Sequence, residues 1–354
     1  MLTKNLTKNL SGTFLILFVV ATAVMTCFFL PAALSRTGAL TAEGLLKGTW
    51  TVAFEKKLGE ILPLYEPSRN IWGRIDYALF RQGRKGVLIG DDGWLFTDEE
   101  FSCPHGYETH IAKNMLYISD VANLLKNSDT QLAIVLIPAK ARVYEDRLGR
   151  NTLPPCRLGL YAQTLNTLAS QSIPVIDTLS AMQASTRKDE LYLKTDTHWS
   201  PAGARLAAET AARRLRNTGI APAAFTNTAG ETKFYHGDLT RYIPGVGAPD
   251  IIPDQLTGFS TEAPASNDLF GDSVPAITLV GTSYSANPLW NFEGFLKEFM
   301  QADILNMADE GLGPFAVMET YLANDAWKNT PPALLIWEIP ERYIMMPATH
   351  KAAK

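Results

Sequence analysis

The sequence lacks the features that would indicate a nucleic-acid-binding protein. Its 354 residues include 32 lysines and arginines against 36 acidic residues, for a formal net charge of −4. The basic residues are scattered rather than arranged in a stripe, whereas binding to nucleic acid depends on clustered positive charge. We therefore expect no nucleic-acid partner. No internal repeat or low-complexity tract is evident either.

Cysteine is scarce, with three residues in the whole chain. Cys27 lies inside a long apolar run, which leaves Cys103 and Cys156 as the only pair in the rest of the sequence. An oxidising compartment would allow these two residues to form a disulfide. Two unpaired core cysteines are equally compatible with the sequence, so both interpretations stay open.

Metal-ligand patterns are also poorly represented. The segment CPHGYETH places Cys103, His105 and His110 close together, and Asp196 with His198 is a second source of possible ligands. This spacing matches no standard zinc pattern. We therefore predict no metal and no other cofactor.

A substantial folded core is nevertheless expected, since hydrophobic residues make up 46% of the chain. The most apolar segment comes first: residues 13–34 contain no charged side chain and follow Lys4 and Lys8. As a helix rising about 1.5 Å per residue, this run crosses a bilayer core of about 30 Å, and the two lysines favour a cytoplasmic N-terminus. We predict a cytoplasmic tail at 1–12 and an uncleaved membrane anchor at 13–35.

The competing interpretation of this segment is a cleaved signal peptide, because small residues near position 35 offer a cleavage site. A signal core is usually about 7–15 residues long, and this run is longer. Both interpretations export the remainder of the chain, so in a bacterium its body would be periplasmic.

Helical and strand patterns alternate through the exported part. Residues 36–85 are predicted to be a helical leader whose recurrent aromatics face a core, and residues 86–96 a β-hairpin around Asp-Asp-Gly. Residues 216–270, rich in Pro, Gly, Asn and Thr, are predicted to be an insertion or long loop. Helices are predicted at 112–127, 161–172 and 204–217, and buried strands at 132–138, 173–178, 276–280 and 333–340. This alternation predicts a three-layer α/β fold with a mainly parallel sheet.

The segment TDTHWSPAGA carries the first chemical signal. Ser200 is a good helix N-cap and Pro201 suits the first helical position. Capping leaves Asp196 and His198 unexplained. An acid beside an imidazole is the arrangement that orients and charges a general base, so a nucleophile is required elsewhere in the chain.

Two serine turns compete for the role of nucleophile. Ser273 stands in a Gly-Asp-Ser triplet before a predicted strand, whereas Ser283 follows that strand directly, after Gly281. In open α/β sheets ligands bind outside the carboxyl ends of the strands, so position favours Ser283. We predict Ser283 as the nucleophile, His198 as the general base and Asp196 as its orienting acid.

Backbone N–H groups around Ser283 and Tyr284 are candidates for an oxyanion hole, with a side-chain amide from Asn287 or Asn324. A second group is predicted to line an acceptor groove, with ordinary packing as the alternative: Trp199, Tyr284, Trp290 and Arg342.

In these motifs the sequence resembles the alginate O-acetyltransferases of the AlgJ and AlgX type, which are SGNH-like periplasmic proteins. The resemblance is carried by five segments: GDDGWLF (90–96), IPAKARVY (137–144), TDTHWSPAGA (195–204), LVGTSYS (279–285) and IWEIPERY (336–343). It implies an SGNH-like acetyltransferase domain at 86–350 and a triad of Asp196, His198 and Ser283 that works through an acetyl-serine.

The resemblance also implies transfer of acetyl groups to hydroxyls of a bacterial exopolysaccharide such as alginate. The implied partners are the polysaccharide acceptor, a membrane-embedded acyltransferase as acetyl donor, and the inner membrane. Relatives that acetylate cellulose share the motifs, so the polymer stays open. Two other functions also stay open: a periplasmic polysaccharide acetylesterase or deacetylase, and a non-catalytic polymer-binding assembly protein.

Overall fold

The computed structural model describes residues 2–215, 222–243, 251–263 and 274–347, in two compact units. The first unit comprises the residues up to Arg81, and the second begins at Gln82. The helices of the first unit are α1 (Leu2–Thr37), α2 (Ala42–Leu46), α3 (Thr49–Ile61) and α4 (Tyr65–Phe80). Residues 36–85 are therefore largely helical, as predicted.

Helix α1 contains the predicted anchor. Residues 12–37 have a mean hydropathy of 2.5, and by length and composition they are a candidate membrane span. An apolar helix whose side chains face outward all round needs a lipid environment or removal as a signal sequence. In the described part of the chain, no residue of the most apolar window of this segment is buried.

The aromatic residues of the helical leader do not all face a core. Trp50 stacks on Phe54 with ring centroids 5.3 Å apart, and Tyr77 is buried, as the packing interpretation requires. The interpretation is wrong for Trp72 and Phe80, which are 64% and 53% exposed. Helical spacing alone does not tell which environment an apolar stripe meets.

The second unit is an α/β domain. Its strands are β1 (Val87–Ile89), β2 (Leu95–Thr97), β3 (Gln131–Ile137), β4 (Val175–Asp177), β5 (Thr226–Tyr235), β6 (Asp254–Glu262), β7 (Ile277–Val280), β8 (Ile304–Asn306) and β9 (Leu334–Pro340). Its helices are α5 (Tyr107–Lys126), α6 (Lys140–Val143), α7 (Pro155–Leu158), α8 (Leu160–Ser170), α9 (Thr178–Gln183), α10 (Pro201–Arg214), α11 (Ser283–Ala286), α12 (Phe292–Met300), α13 (Gly313–Ala323) and α14 (Asp325–Asn329).

Five parallel strands form the central sheet, in the order β4-β3-β9-β7-β8. Every residue of β7 and β9 is buried, which explains their predominantly apolar sequences. Helices α5, α8 and α13 contribute side chains to the core on one face, and α9, α10 and α12 to the core on the other. The three-layer prediction is confirmed, and strand β8 is an addition to it.

Of the two interpretations of 216–270, an insertion or a long loop, the long loop is wrong for the described part. Strands β5 and β6 pair in antiparallel register, from Thr226 opposite Glu262 to Tyr235 opposite Asp254. Nearly every side chain of β5 is exposed, so the segment lacks the apolar alternation by which strands are recognised. Its strand structure depends on pairing with a distant segment.

One smaller prediction of the sequence is confirmed, and one question that the sequence left open is answered. Strands β1 and β2 form the expected hairpin, and Asp92 and Gly93 turn between them with φ of 52° and 79°. Cys103 and Cys156 form a disulfide with their Cα atoms 6.2 Å apart, which ties the segment before α5 to α7.

Candidate active site

The site lies at the carboxyl edge of the central sheet, where loops leave β3, β7 and β9. Ser283 is the first residue of α11, three residues after β7 ends. Thr282 is the N-cap of this helix, and its hydroxyl accepts a hydrogen bond from Tyr284 N at 3.4 Å. The N–H group of Ser283 has no acceptor among the described residues. The strand-to-helix turn therefore presents both the hydroxyl and an open backbone donor.

A buried glutamate holds this turn in place. Glu338 of β9 accepts hydrogen bonds from Thr282 N at 2.7 Å, from Thr282 Oγ1 at 3.0 Å and from Ser285 Oγ at 3.1 Å. A Cβ atom on Gly281 would lie 2.6 Å from Glu338 Oε2, so only glycine fits beside it. Burial raises the pKa of Glu338 to about 7, although these hydrogen bonds lower it. Our sequence reasoning missed Glu338; the signal was an acidic residue inside an otherwise apolar strand.

His198 lies in the loop that enters α10. Ser200 caps that helix by accepting from Ala202 N at 3.1 Å and Gly203 N at 3.3 Å, and Pro201 is its first residue, as the sequence predicts. His198 Nε2 lies 2.7 Å from Ser283 Oγ, and His198 Nδ1 lies 2.6 Å from Asp196 Oδ1. An ionised carboxylate only accepts, so Nδ1 carries the proton and Nε2 is free to accept from the serine hydroxyl.

Each carboxylate oxygen of Asp196 accepts two hydrogen bonds. Its Oδ1 also accepts from His198 N at 2.8 Å, and its Oδ2 accepts from Tyr235 OH at 3.0 Å and Asp238 N at 2.8 Å. Burial opposes ionisation of the carboxyl, but the hydrogen bond and charge of His198 and the backbone donors outweigh it and hold the pKa at about 2. The charge that faces the imidazole is therefore permanent above that pH.

Tyr235 belongs to β5 and comes from the segment that the sequence predicted to be an insertion or long loop. Burial and the nearby Asp196 raise the pKa of its hydroxyl, so it donates to the carboxylate throughout the physiological range. The insertion thus supplies one of the groups that hold Asp196. We missed Tyr235 because nothing local in the sequence connects it to Asp196.

Aromatic side chains fix the imidazole ring. Trp290 lies parallel to His198 at 22° with centroids 5.3 Å apart, and its Nε1 donates to Ser283 O at 3.1 Å. Trp199 Nε1 donates to Tyr284 O at 3.2 Å, and Tyr284 OH donates to Thr197 O at 2.8 Å. These contacts join the loop of His198 to the turn of Ser283.

The predicted acceptor-groove role is wrong for all four candidates. Trp199, Tyr284 and Trp290 are between 0% and 1% exposed, so their rings face the core rather than solvent. Arg342 is 6% exposed, lies over the Tyr284 ring at 5.5 Å and donates to Tyr284 OH at 3.3 Å. These four residues therefore have packing roles, which was the alternative interpretation.

A buried lysine connects three segments around the site. Lys140 follows β3, and its Nζ donates to Leu95 O at 2.6 Å, Lys194 O at 2.9 Å and Asp196 O at 2.9 Å. Burial lowers the pKa of the ammonium to about 8, against the charges of nearby carboxylates. Lys140 thereby ties the β1–β2 hairpin and the Asp196 loop to the central sheet. It too was missed, although it stands in a motif that carried the family resemblance.

Of the two amide candidates for an oxyanion hole, one lies beside the turn, since Asn287 N donates to Ser283 O at 3.3 Å. Asn287 follows α11, and its Oδ1 accepts from Leu289 N at 3.0 Å, which leaves its Nδ2 without a partner among the described residues. Asn324 follows α13, the helix that leads from the carboxyl end of β8 to the amino end of β9. It therefore lies at the opposite edge of the sheet, and its candidacy is wrong.

The structure removes one ligand from the possible metal site near Cys103. Cys103 is in the disulfide and offers no thiolate for a metal site with His105 and His110. Ligand atoms of Asp196, His198 and Asp238 do lie within 4.8 Å of one another. Asp238 Oδ1, however, accepts from Thr197 N at 2.8 Å, and both Asp196 oxygens face hydrogen-bond donors, which suits a hydrogen-bonded acid better than a cation site. The rival serine, Ser273, lies outside the described residues.

Comparisons with a family model, with the sequences of known proteins and with solved structures indicate the same family. Residues 87–341 match the family model described as the SGNH hydrolase-like domain of acetyltransferase AlgX. The chain is 39% identical over 311 residues to the probable alginate O-acetylase AlgJ of Pseudomonas syringae pv. tomato, covering 85% of this chain and 80% of that protein. It is 39% identical over 320 residues to the corresponding protein of Pseudomonas aeruginosa, covering 85% and 81%.

Among solved structures, the O-acetyltransferase domain of Pseudomonas putida AlgJ superposes with a TM-score of 0.70 at 37% identity, covering 75% of this chain and 95% of that domain. Pseudomonas aeruginosa AlgX superposes with a TM-score of 0.56 at 24% identity, covering 74% and 63%, which supports the fold alone. The chain therefore belongs to the family of SGNH hydrolase-like acetyltransferases that includes AlgJ and AlgX.

Proposed function

We propose that this protein transfers acetyl groups to hydroxyls of an alginate-like exopolysaccharide in the periplasm, with Ser283, His198 and Asp196 as its catalytic triad. One observation carries the proposal: an unbroken hydrogen-bonded chain runs from the Asp196 carboxylate through the His198 ring to Ser283 Oγ, with both links shorter than 2.8 Å. The relatives named as alginate O-acetylases support the choice of polymer.

The first half-reaction forms an acetyl-serine. Ser283 Oγ attacks the acetyl carbonyl of the donor while its proton moves to His198 Nε2, and Asp196 stabilises the imidazolium that results. The tetrahedral intermediate then expels the donor's leaving group, which takes the proton from Nε2. The N–H of Ser283 and the free Nδ2 of Asn287 are the donors we propose for the oxyanion.

The second half-reaction returns the enzyme to its starting state. A sugar hydroxyl gives its proton to His198 Nε2 and attacks the acetyl-serine carbonyl. Collapse of this intermediate releases Ser283 Oγ, which recovers the proton from the imidazolium. Water in place of the sugar would give an esterase from the same triad, so exclusion of water and binding of the acceptor separate the two activities.

The proposed location follows from α1. We propose that residues 13–35 stay in the inner membrane as an uncleaved anchor, with 1–12 in the cytoplasm and the α/β domain in the periplasm. The proposed acetyl donor is a membrane-embedded acyltransferase. Anchoring would restrict the site to the neighbourhood of such a partner and raise its effective concentration there.

The test uses the full chain, a chromogenic acetyl ester, and mannuronate oligosaccharides as acceptor. We expect ester turnover, an acetylated oligosaccharide by mass spectrometry, and an acetyl adduct on the peptide that contains Ser283. Ser283→Ala should abolish all three, whereas the control Ser285→Ala should retain all three at a reduced level, because Ser285 Oγ supports the turn through Glu338 but does not hydrogen-bond to His198. Acetate release without acetylated sugar would indicate an esterase, and absence of turnover in the wild type a non-catalytic protein.

A further inference from the structure

Helix α4 presents an apolar face to solvent. Ile71, Trp72, Ile75 and Leu79 are 59%, 64%, 36% and 71% exposed. Residues 71, 75 and 79 are four apart and residue 72 is adjacent, so the four side chains share one face of the helix. We call these four residues the α4 face. In a globular domain such a face packs against a core, but here the buried residue of α4 is Tyr77, on another side.

The position of α4 relates this face to the candidate membrane span. Within the first unit, α3 contacts both α1 and α4, so a single helix separates α4 from the apolar helix. The apolar side chains of α1 are themselves exposed, for example Phe28 at 79%. Two apolar surfaces of one compact unit thus lack cover, and a bilayer that takes up α1 lies beside α4.

The composition around the α4 face suits the lipid headgroup region. Trp72 is one of the side chains enriched at membrane surfaces. Arg74 has no ion-pair partner among the described residues, and Arg69 lies 5.3 Å over the Tyr65 ring, so long cationic side chains flank the apolar ones. Cations in these positions can reach lipid phosphates while their stems stay near the acyl boundary.

We propose that the α4 face lies in the outer surface of the membrane that α1 spans, with Trp72 and Leu79 immersed at the acyl boundary. The inference rests on the proposed anchoring of α1. Helix α4 is then a second membrane contact, which lies in the plane of the bilayer. This contact fixes the orientation of the first unit relative to the membrane surface.

The test places a nitroxide label on single cysteines of the full chain in nanodiscs of phosphatidylethanolamine and phosphatidylglycerol, one chain per disc. Cys27 is the free cysteine of the chain, so a label there reports on α1, and Cys27→Ala provides the background for Leu79→Cys and Glu66→Cys. Glu66 lies on the opposite side of α4 and is the matched control, since its exposed pair with Arg69 contributes little to stability.

We expect oxygen to broaden the electron paramagnetic resonance spectrum of the label at position 79 more than a water-soluble nickel complex does. At position 66 we expect the nickel complex to broaden the spectrum more than oxygen. If position 79 is as accessible to nickel as position 66 while Cys27 is shielded, the inference is wrong and the anchor stands. If Cys27 is also accessible to nickel, the anchoring itself fails. Shielding of position 79 only in discs with two chains, or only in native membranes, would assign the face to a second copy or to a protein partner and overturn the lipid assignment.

Discussion

Replacement of Asp196 by asparagine tests the charge that faces His198 while almost preserving the shape of the side chain. The carboxylate accepts from four donors: His198 Nδ1, His198 N, Tyr235 OH and Asp238 N. An amide has one acceptor oxygen, so its NH₂ group must replace one oxygen and face a backbone N–H. If it faces His198, the proton moves to Nε2 and the ring can no longer accept from Ser283.

The stability cost has two parts. The pKa of Asp196 is about 2 against an ordinary 3.8, so its ionised form contributes on the order of 2 kcal/mol of folding free energy at neutral pH. The backbone N–H left without an acceptor adds about 1–3 kcal/mol. Because the folded pKa is lowered, the first contribution is present above about pH 4 and is lost as the pH falls towards 2. Asp196→Asn should lack this acid-dependent loss.

The expected catalytic effect is larger. An orienting aspartate replaced by asparagine lowers kcat by about 10⁴ in serine proteases, and the same tautomer argument applies here. We would measure ester turnover together with urea unfolding at neutral and acid pH. The control is Asp254→Asn: Asp254 accepts from Lys194 N at 2.7 Å and Thr195 N at 2.9 Å in the same loop but does not hydrogen-bond to His198. It should lose stability and keep activity within about tenfold. A folded Asp196→Asn protein with more than about a tenth of wild-type turnover would refute the tautomer argument.

Three further predictions concern the turn, its support and the disulfide. Ser283→Ala should lower ester turnover by about 10⁴ or more while Ser273→Ala leaves most of it, and the opposite pattern would mean that the wrong turn was chosen. The raised pKa of Glu338 means that the folded state binds more protons than the unfolded state between pH 4.5 and about 7, so wild-type stability should fall by up to about 3 kcal/mol as pH rises through that window. Glu338→Gln should remove this slope in urea titrations, and equal slopes in both proteins would contradict the assignment. Replacing Cys103 and Cys156 together by serine opens a loop with a sequence separation of 53 and should cost about 4 kcal/mol of unfolding free energy, whereas an unchanged denaturation midpoint would mean that the bridge does not constrain the unfolded chain.

Local sequence was sufficient to predict a structural element wherever one physical requirement acts on neighbouring residues. Strands β3, β7 and β9 are buried on both faces over almost their whole length, so their sequences are predominantly apolar. Ser200 and Pro201 satisfy the start of α10 within four residues. Strands β5 and β6 have no such local signature, because most side chains of β5 are exposed and the hydrogen bonds of the two strands go to each other.

The candidate site also contains residues that local sequence could predict and residues that it could not. Asp196 and His198 are two residues apart, and Ser283 follows a recognisable strand, so residue types and positions were enough to select all three. The surroundings were not selected: Tyr235 of β5 and Lys140 at the end of β3 contact Asp196, and Glu338 of β9 holds Thr282 before Ser283.

By itself, the sequence determined the α/β alternation, the apolar N-terminal helix, the capped entry to α10 and the three polar residues whose chemistry belongs together. Only the tertiary structure decided that Ser283 Oγ lies 2.7 Å from His198 Nε2, that Trp199 and Trp290 are packing residues, and that the α4 face is uncovered. The physical reason is range. Helix caps and strand burial depend on residues a few positions apart, whereas burial of a ring, saturation of a carboxylate and exposure of a helix face depend on which distant segments fold against them.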